Sequence, residues 1–237
     1  MAISIQDLFK YKKPVEIKDD KGEIVATVWI RVLGDYDLSE AYKHGRIESA
    51  KTRKELRDTE SDEYFAEIAV IEDGSKEDLI ELIKQSLQSD FYAQAQSAID
   101  REDIPKTEDF SIDPDAPTLE EQEKRDMAEL QSELDYQTKV KEFTETKEKE
   151  LADRLETIER EQLILEARKA LTDLRALSAF IEEVLDQKVF RGTYVDKECK
   201  VRAYKDKEEY RNQHSTVKFQ LRNAYQSLEL NPEELKN

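Results

Sequence analysis

The alternation of apolar and polar residues near the N-terminus predicts a β-hairpin. Val15-Glu16-Ile17 alternates, and an almost continuous run of β-branched, aromatic and aliphatic residues extends over 24–33. The polar segment 19–22 between them ends in Gly22, which can adopt the positive φ that a tight turn needs. We therefore expect two short strands, of which the second is largely buried.

The segments after the hairpin show the helical spacing of apolar residues. Residues 38–58 predict a helix with Asp37 as its N-cap, weakened at Gly45 by about 1 kcal/mol relative to alanine. Ser75, followed by an acid three residues later, predicts the start of a second amphipathic helix. The hairpin and these helices form a predicted N-terminal α+β domain over residues 1–100.

An acidic linker and a long charged helix are predicted for the middle of the chain. Residues 101–117 combine prolines with an excess of acids, so they should be extended and exposed. Residues 118–189 contain neither Gly nor Pro, and one unbroken helix of about 70 residues would be about 105 Å long. The apolar spacing does not sustain a strict heptad, so a straight coiled-coil rod and a folded-back helical hairpin both fit.

The last part of the chain, residues 190–237, reads as a small α/β element. Strand-like residues surround Gly192, a second short strand is expected over 199–204, and helical spacing returns over 206–228. The predicted fold class is therefore α+β and predominantly α-helical. It consists of a small N-terminal β-layer with helices, a long charged helix or helical hairpin, and a small C-terminal α/β element.

Composition and charge restrict the classes of partner. Of the 237 residues 40% are charged, the apolar share is 38%, and the formal net charge is −18. Such a polyanion repels phosphate, so binding to nucleic acid or to an anionic membrane would need a concentrated basic face. The one local excess of basic residues, within 43–57, alternates with acids and fits a solvated helix face. We expect neither a nucleic-acid nor a membrane partner.

Cysteine usage and hydropathy indicate a cytoplasmic protein. Cys199 is the only cysteine, so the chain has no internal disulfide framework. Residues 1–13 lack the apolar core of a signal peptide, and no window approaches the roughly 20 apolar residues that cross a bilayer.

No catalytic or metal-binding motif is present in the sequence, so we expect no enzyme activity and no cofactor. A zinc site needs about four nitrogen or sulfur ligands, and His44, His214 and Cys199 follow no ligand spacing. Cys199 with His214 as a base is the nearest approach to a nucleophilic pair, but a small apolar side chain on a strand is the more economical interpretation of Cys199. Trp29 fits either a binding hot spot or the core of the β-layer.

Two apolar stripes in the long helical segment are candidate partner-binding surfaces. Their members recur at intervals of three, four or seven residues, as in helices that pack against one another. Packing within the chain is the alternative for the same residues. The candidates are Met127, Leu130 and Leu134 in the first stripe and Leu151, Leu155, Ile158 and Leu165 in the second.

Both ends of the sequence resemble the tail assembly chaperone-like proteins of tailed bacteriophages. The resemblance lies in the run from Ile24 to Asp35, the charged helix after it, and the segment from Asp58 to Tyr64. Near the C-terminus it lies in the segment from Tyr204 to Tyr210 and in Leu221-Arg222-Asn223-Ala224-Tyr225. The long charged segment 119–189 departs from the compact members of that family.

The resemblance implies a protein-binding factor without catalytic residues. Members of such a family hold the helical tape measure protein soluble and recruit tail tube subunits to it, which implies a location in the bacterial host cytoplasm. The alternative hypothesis is a structural virion or scaffolding protein that self-associates through its helical segment.

Overall fold

The computed structural model describes residues 12–99 and 119–230, and the predicted linker 101–117 lies outside them. The predicted fold class is confirmed, because helices dominate and one small antiparallel sheet accompanies them. The strands are β1 Lys12–Lys18, β2 Ile24–Arg31 and β3 Thr193–Tyr194. The α-helices are α1 Asp35–Glu55, α2 Lys76–Ala98, α3 Leu119–Glu156, α4 Arg160–Gly192, α5 Lys207–Arg211 and α6 Ser215–Leu230.

The predicted hairpin forms the sheet together with the very short β3. β1 and β2 pair antiparallel with Val15 opposite Val28. β3 pairs with Trp29 and Ile30 of β2, and its Tyr194 also forms an isolated antiparallel bridge with Arg202. Gly22 adopts the expected positive φ, at 83°, in the turn. The first half of β2 is exposed rather than buried, because packing against the rest of the chain begins only near Val28.

The sheet packs on the C-terminal part of the chain. Ile30 joins a core that includes Val189 from α4 and Leu221 from α6. The hydroxyl of Tyr225, also in this core, accepts a hydrogen bond from the backbone N–H of Leu33 at 3.2 Å. The two ends of the chain therefore fold as one structure.

The contacts divide the chain into two compact units that differ from the predicted domains. One unit comprises Met1–Asp58 with Arg175–Asn237, and the other comprises Thr59–Leu174. The predicted domain 1–100 is thus split, because its hairpin finds its apolar partners at the far end of the sequence. The predicted segments 118–189 and 190–237 do not coincide with units either, since α4 contributes residues to both units.

Helices α1 and α4 pack closely in the first unit. A Cβ added to Gly45 would lie 2.5 Å from Cγ2 of Val184 and 2.8 Å from the ring of Phe180. The predicted N-cap was wrong, because α1 begins at Asp35, with Gly34 as the N-cap residue. Asp37 lies within the first turn and pairs with Arg191 of α4 at 3.0 Å instead.

The second unit contains an antiparallel helix pair. This unit includes a π-helical turn and a 3-10 helix over 64–73. Ser75 follows them and caps α2 with the predicted capping box. Ala95 of α2 packs with Tyr136 and Val140 of α3, whereas Lys76 at the other end of α2 donates to the carbonyl of Glu156. This pairing aligns α2 antiparallel to α3.

The long charged segment is broken into two helices. α3 ends at Glu156 and α4 begins at Arg160, so the described part of 118–189 is not a single straight rod. The guanidinium of Arg160 donates to the carbonyl oxygens of Glu72 and Gly74, both at 2.9 Å. The C-terminal strand prediction was mostly wrong, because α4 continues to Gly192 and leaves two residues for β3.

Candidate protein-binding surface

The first predicted stripe lies exposed on α3. Met127, Leu130 and Leu134 are 65%, 54% and 52% exposed. Because Ala95 near the end of α2 packs with residues 136 and 140, the part of α3 before residue 134 continues past the C-terminal end of α2. Three large apolar side chains one helical turn apart are therefore presented to solvent.

The second predicted stripe does not form one surface. Leu151 and Leu155 are buried within their unit, so we withdraw both as partner contacts. Both lie on the stretch of α3 that runs beside α2, where Lys76 of α2 donates to the carbonyl of Glu156. Ile158 is half-buried at the break between helices, and Leu165, 59% exposed, lies on α4.

A groove of about 570 Å³ runs between α2 and α3. Its apolar floor is Val140, and the Tyr92 ring forms part of the wall on α2. The other lining side chains are polar and come from successive turns of both helices. They are Gln88, Ser89, Gln137, Lys141, Thr144, Glu145 and Glu148.

A polar extension continues along the same side of the helix pair. Glu81 and Lys84 of α2 line this second cavity together with Glu148 of α3. A hydrogen bond from the Lys84 ammonium at 3.1 Å holds the pKa of the Glu81 carboxyl below its ordinary value. The groove is therefore apolar near Val140 and charged toward the other end of α2.

A separate cavity of about 730 Å³ lies between α2 and α4 in the same unit. Leu165 borders it, and Ile83 and Ala170 lie in its floor. The pair formed by Arg154 and Glu166, at 3.4 Å, lies at its rim. Sequence patterns did not reveal either cavity, because each depends on which helices become neighbours.

The residues considered for catalysis have different surroundings in the structure. Cys199 is buried in a loop with a φ of 54°, and burial raises the pKa of its thiol, which disfavours the thiolate. His214 is exposed and bonds Thr216, whereas His44 is half-buried on α1. No group of His, Cys, Asp and Glu suited to a metal ion occurs within residues 12–99 and 119–230.

Trp29 lies on β2, opposite Pro14 of β1 and Tyr194 of β3. Its ring is half-buried on β2, and the ammonium of Lys197 lies 6.0 Å from the ring centroid.

In the described ranges, no helix is both long enough and apolar enough to span a lipid bilayer.

A buried ion network joins α4 to α5 and α6. The Glu183 carboxylate, almost fully buried, accepts hydrogen bonds from Lys207 and from Arg211 at 2.7 Å. Burial would raise the pKa of Glu183, but the hydrogen bonds from Lys207 and Gln187 outweigh it and lower this pKa. One helical turn on, Asp186 pairs with Arg222. Every charge in this network has a partner, so we interpret the network as structural.

Comparisons of this chain with protein-family models, with curated proteins and with solved structures found no match.

Proposed function

We propose that this chain is a non-enzymatic, protein-binding assembly factor that covers an apolar helical stripe on its partner. The observation that carries the proposal is the exposure of Met127, Leu130 and Leu134 on α3. Single exposed apolar residues are ordinary, but positions i, i+3 and i+7 form the seam through which helices associate.

The charge of the chain supports this role. A factor that binds an aggregation-prone apolar segment must keep the complex dispersed, and a net charge of −18 opposes association between complexes. The same charge disfavours the alternative hypothesis, a scaffold that self-associates through α3, because two copies would bring like charges together.

The proposed partners follow from the resemblance to tail assembly chaperone-like proteins. They are a tape measure protein, whose long helices expose apolar stripes before assembly, and the tail tube subunits. Helix-against-helix packing is the recognition mode that the exposed stripe would use.

The test is co-expression with a tailed-phage tape measure protein. The wild-type chain should raise the soluble fraction of the tape measure protein and co-purify with it, whereas Leu130→Glu with Leu134→Glu should do neither. Ile181→Glu, which alters an exposed isoleucine of α4, is the matched control and should behave as wild type. If the wild-type chain neither solubilises nor captures the tape measure protein, the proposal is wrong.

A further inference from the structure

We infer that the stripe on α3 and the groove between α2 and α3 form one channel for a single amphipathic helix whose apolar stripe is flanked by Lys and Arg. This inference rests on the proposed function and specifies the chemistry of the partner. We call the combined surface the docking channel. It comprises Met127, Leu130, Leu134 and the side chains that line the 570 Å³ groove.

The stripe and the groove lie on the same side of α3. Successive residues of an α-helix are separated by about 100° around its axis. Measured from Val140, which faces α2, the three stripe residues lie at about 80–140°. Lys141, Thr144 and Glu148, which line the groove, lie at about 40–100° in the same direction. A helix seated in the groove would therefore continue over the stripe beyond the end of α2.

The length of the docking channel suits one helix. From Met127 to Glu148 α3 rises about 32 Å, at 1.5 Å per residue. An occupant of about 21 residues, or six turns, would cover that distance. It would contact both α2 and α3 along the groove but only α3 along the stripe, because Tyr92 and Gln88 of α2 line the groove but not the stripe.

The charges along the channel determine which helix fits. Glu123, Asp126, Glu145 and Glu148 lie on the channel side of α3 by the same angular count. Within the described part of α3, Lys141 is the one cationic side chain on that side. Its ammonium forms an ion pair with the carboxylate of Glu145 at 3.7 Å. Flanking charges select coiled-coil partners by their sign.

These four carboxylates form an acidic rim along the docking channel. The rim favours a basic helix as the partner over a second copy of the chain. A second α3 would place its own carboxylates opposite the same residues, and like charges across a helix interface are unfavourable. Lysine or arginine residues on both sides of the partner's apolar stripe would instead pair with the rim. Because these pairs lie at the edge of the interface, binding should weaken as salt is added.

The test measures the affinity of two synthetic helical peptides of about 21 residues. Both carry leucines at coiled-coil spacing, one with lysines and the other with glutamates beside the leucines. Fluorescence anisotropy against the full chain in 0.1 M salt gives each Kd. The lysine-flanked peptide should bind at least tenfold more tightly than the glutamate-flanked peptide, and the difference should shrink in 1 M salt.

Three variants test where the peptide binds, and two further variants serve as controls. Leu134→Glu in the stripe and Tyr92→Ala in the groove should each weaken the lysine-flanked peptide about tenfold. Glu145→Gln with Glu148→Gln should weaken it severalfold and reduce its salt dependence. Ile181→Glu and Glu161→Gln, on exposed positions of α4, are the matched controls and should leave Kd unchanged. Circular dichroism confirms that each variant keeps its helices.

The outcomes separate this inference from the proposed function. Equal binding of the two peptides, or no saturable binding of either, would overturn the assignment of a basic helical partner. If Tyr92→Ala and the glutamine variant bind normally while Leu134→Glu does not, the channel is wrong and the stripe alone is the binding surface. The co-expression test with the tape measure protein decides the proposed function independently of these peptides.

Discussion

At the scale of single residues, Gly45 lowers the helix propensity of α1 but allows α1 and α4 to pack closely. A glycine inside a helix costs about 1 kcal/mol relative to alanine, and the sequence alone indicates only this weakness. The structure adds the reason for it, because Val184 and Phe180 of α4 occupy the space that a Cβ would take.

We expect Gly45→Ala to destabilise the protein by about 1–3 kcal/mol, because overpacking outweighs the gain in helix propensity. Chemical denaturation of wild type and variant measures the difference in the free energy of unfolding. Val184→Ala removes the nearest clashing atom, so the double variant should recover part of the loss. A Gly45→Ala protein more stable than wild type would contradict the close approach of α1 to α4.

The buried carboxylate of Glu183 makes a second prediction at this scale. Its pKa in the folded protein is lowered from the ordinary value of 4.5, so it contributes stability above that pH. The contribution is lost as the pH falls below about 4.5 and the group becomes protonated.

Glu183→Gln should therefore lower the free energy of unfolding at pH 7 and flatten its decline between pH 5 and 3. The loss at pH 7 should be about 1–3 kcal/mol. It should fall below that of a fully buried pair, because Arg211 is 46% exposed and water screens it. Urea unfolding at several pH values measures both effects, and an unchanged pH dependence would show that the pKa of Glu183 is the same in the folded and unfolded chain.

At the scale of elements, local signals were predictable from the sequence and non-local ones were not. The hairpin and the Ser75 capping box depend on residues close in sequence, and both are present. The extension of α4 to Gly192 was missed, because β-branched and aromatic residues there indicated a strand. Val189 and Phe190 are instead buried from a helix in the core that the sheet and α6 complete.

The candidate site was predictable to a similar degree. Helical spacing identified the stripe at Met127, Leu130 and Leu134, because it needs only the period of one helix. The same spacing could not distinguish Leu151 and Leu155, which α2 covers, since nothing in the sequence states which helix becomes the neighbour. The sequence did not predict the groove at Tyr92 for the same reason.

The break between α3 and α4 gives a prediction for elements. Residues 157–159 contain no Gly or Pro, so contacts from elsewhere help to hold the turn. Arg160→Ala removes two hydrogen bonds to the carbonyl oxygens of Glu72 and Gly74 and should destabilise the protein by about 1 kcal/mol. Arg154→Ala removes an exposed ion pair and should cost about 0.5 kcal/mol or less. Thermal unfolding compares them, and equal effects would argue against a special role for Arg160.

At the scale of the whole molecule, net charge and the exposed stripe act in opposite directions. The apolar side chains on α3 favour association, whereas the charge of −18 opposes bringing two copies together. Added salt weakens only the charge repulsion, since the Debye length falls from about 10 Å at 0.1 M salt to about 3 Å at 1 M.

We therefore expect a 27.7 kDa monomer at 0.1 M salt in size-exclusion chromatography with multi-angle light scattering. Any increase in mass at 1 M salt should depend on the stripe, because the hydrophobic contribution survives screening. Leu134→Glu should then stay monomeric, and Ile181→Glu should follow wild type. A defined oligomer already present at 0.1 M salt would mean that the chain covers its own stripe, which favours the scaffolding hypothesis. A monomer leaves that surface to a different protein, as the acidic docking channel requires.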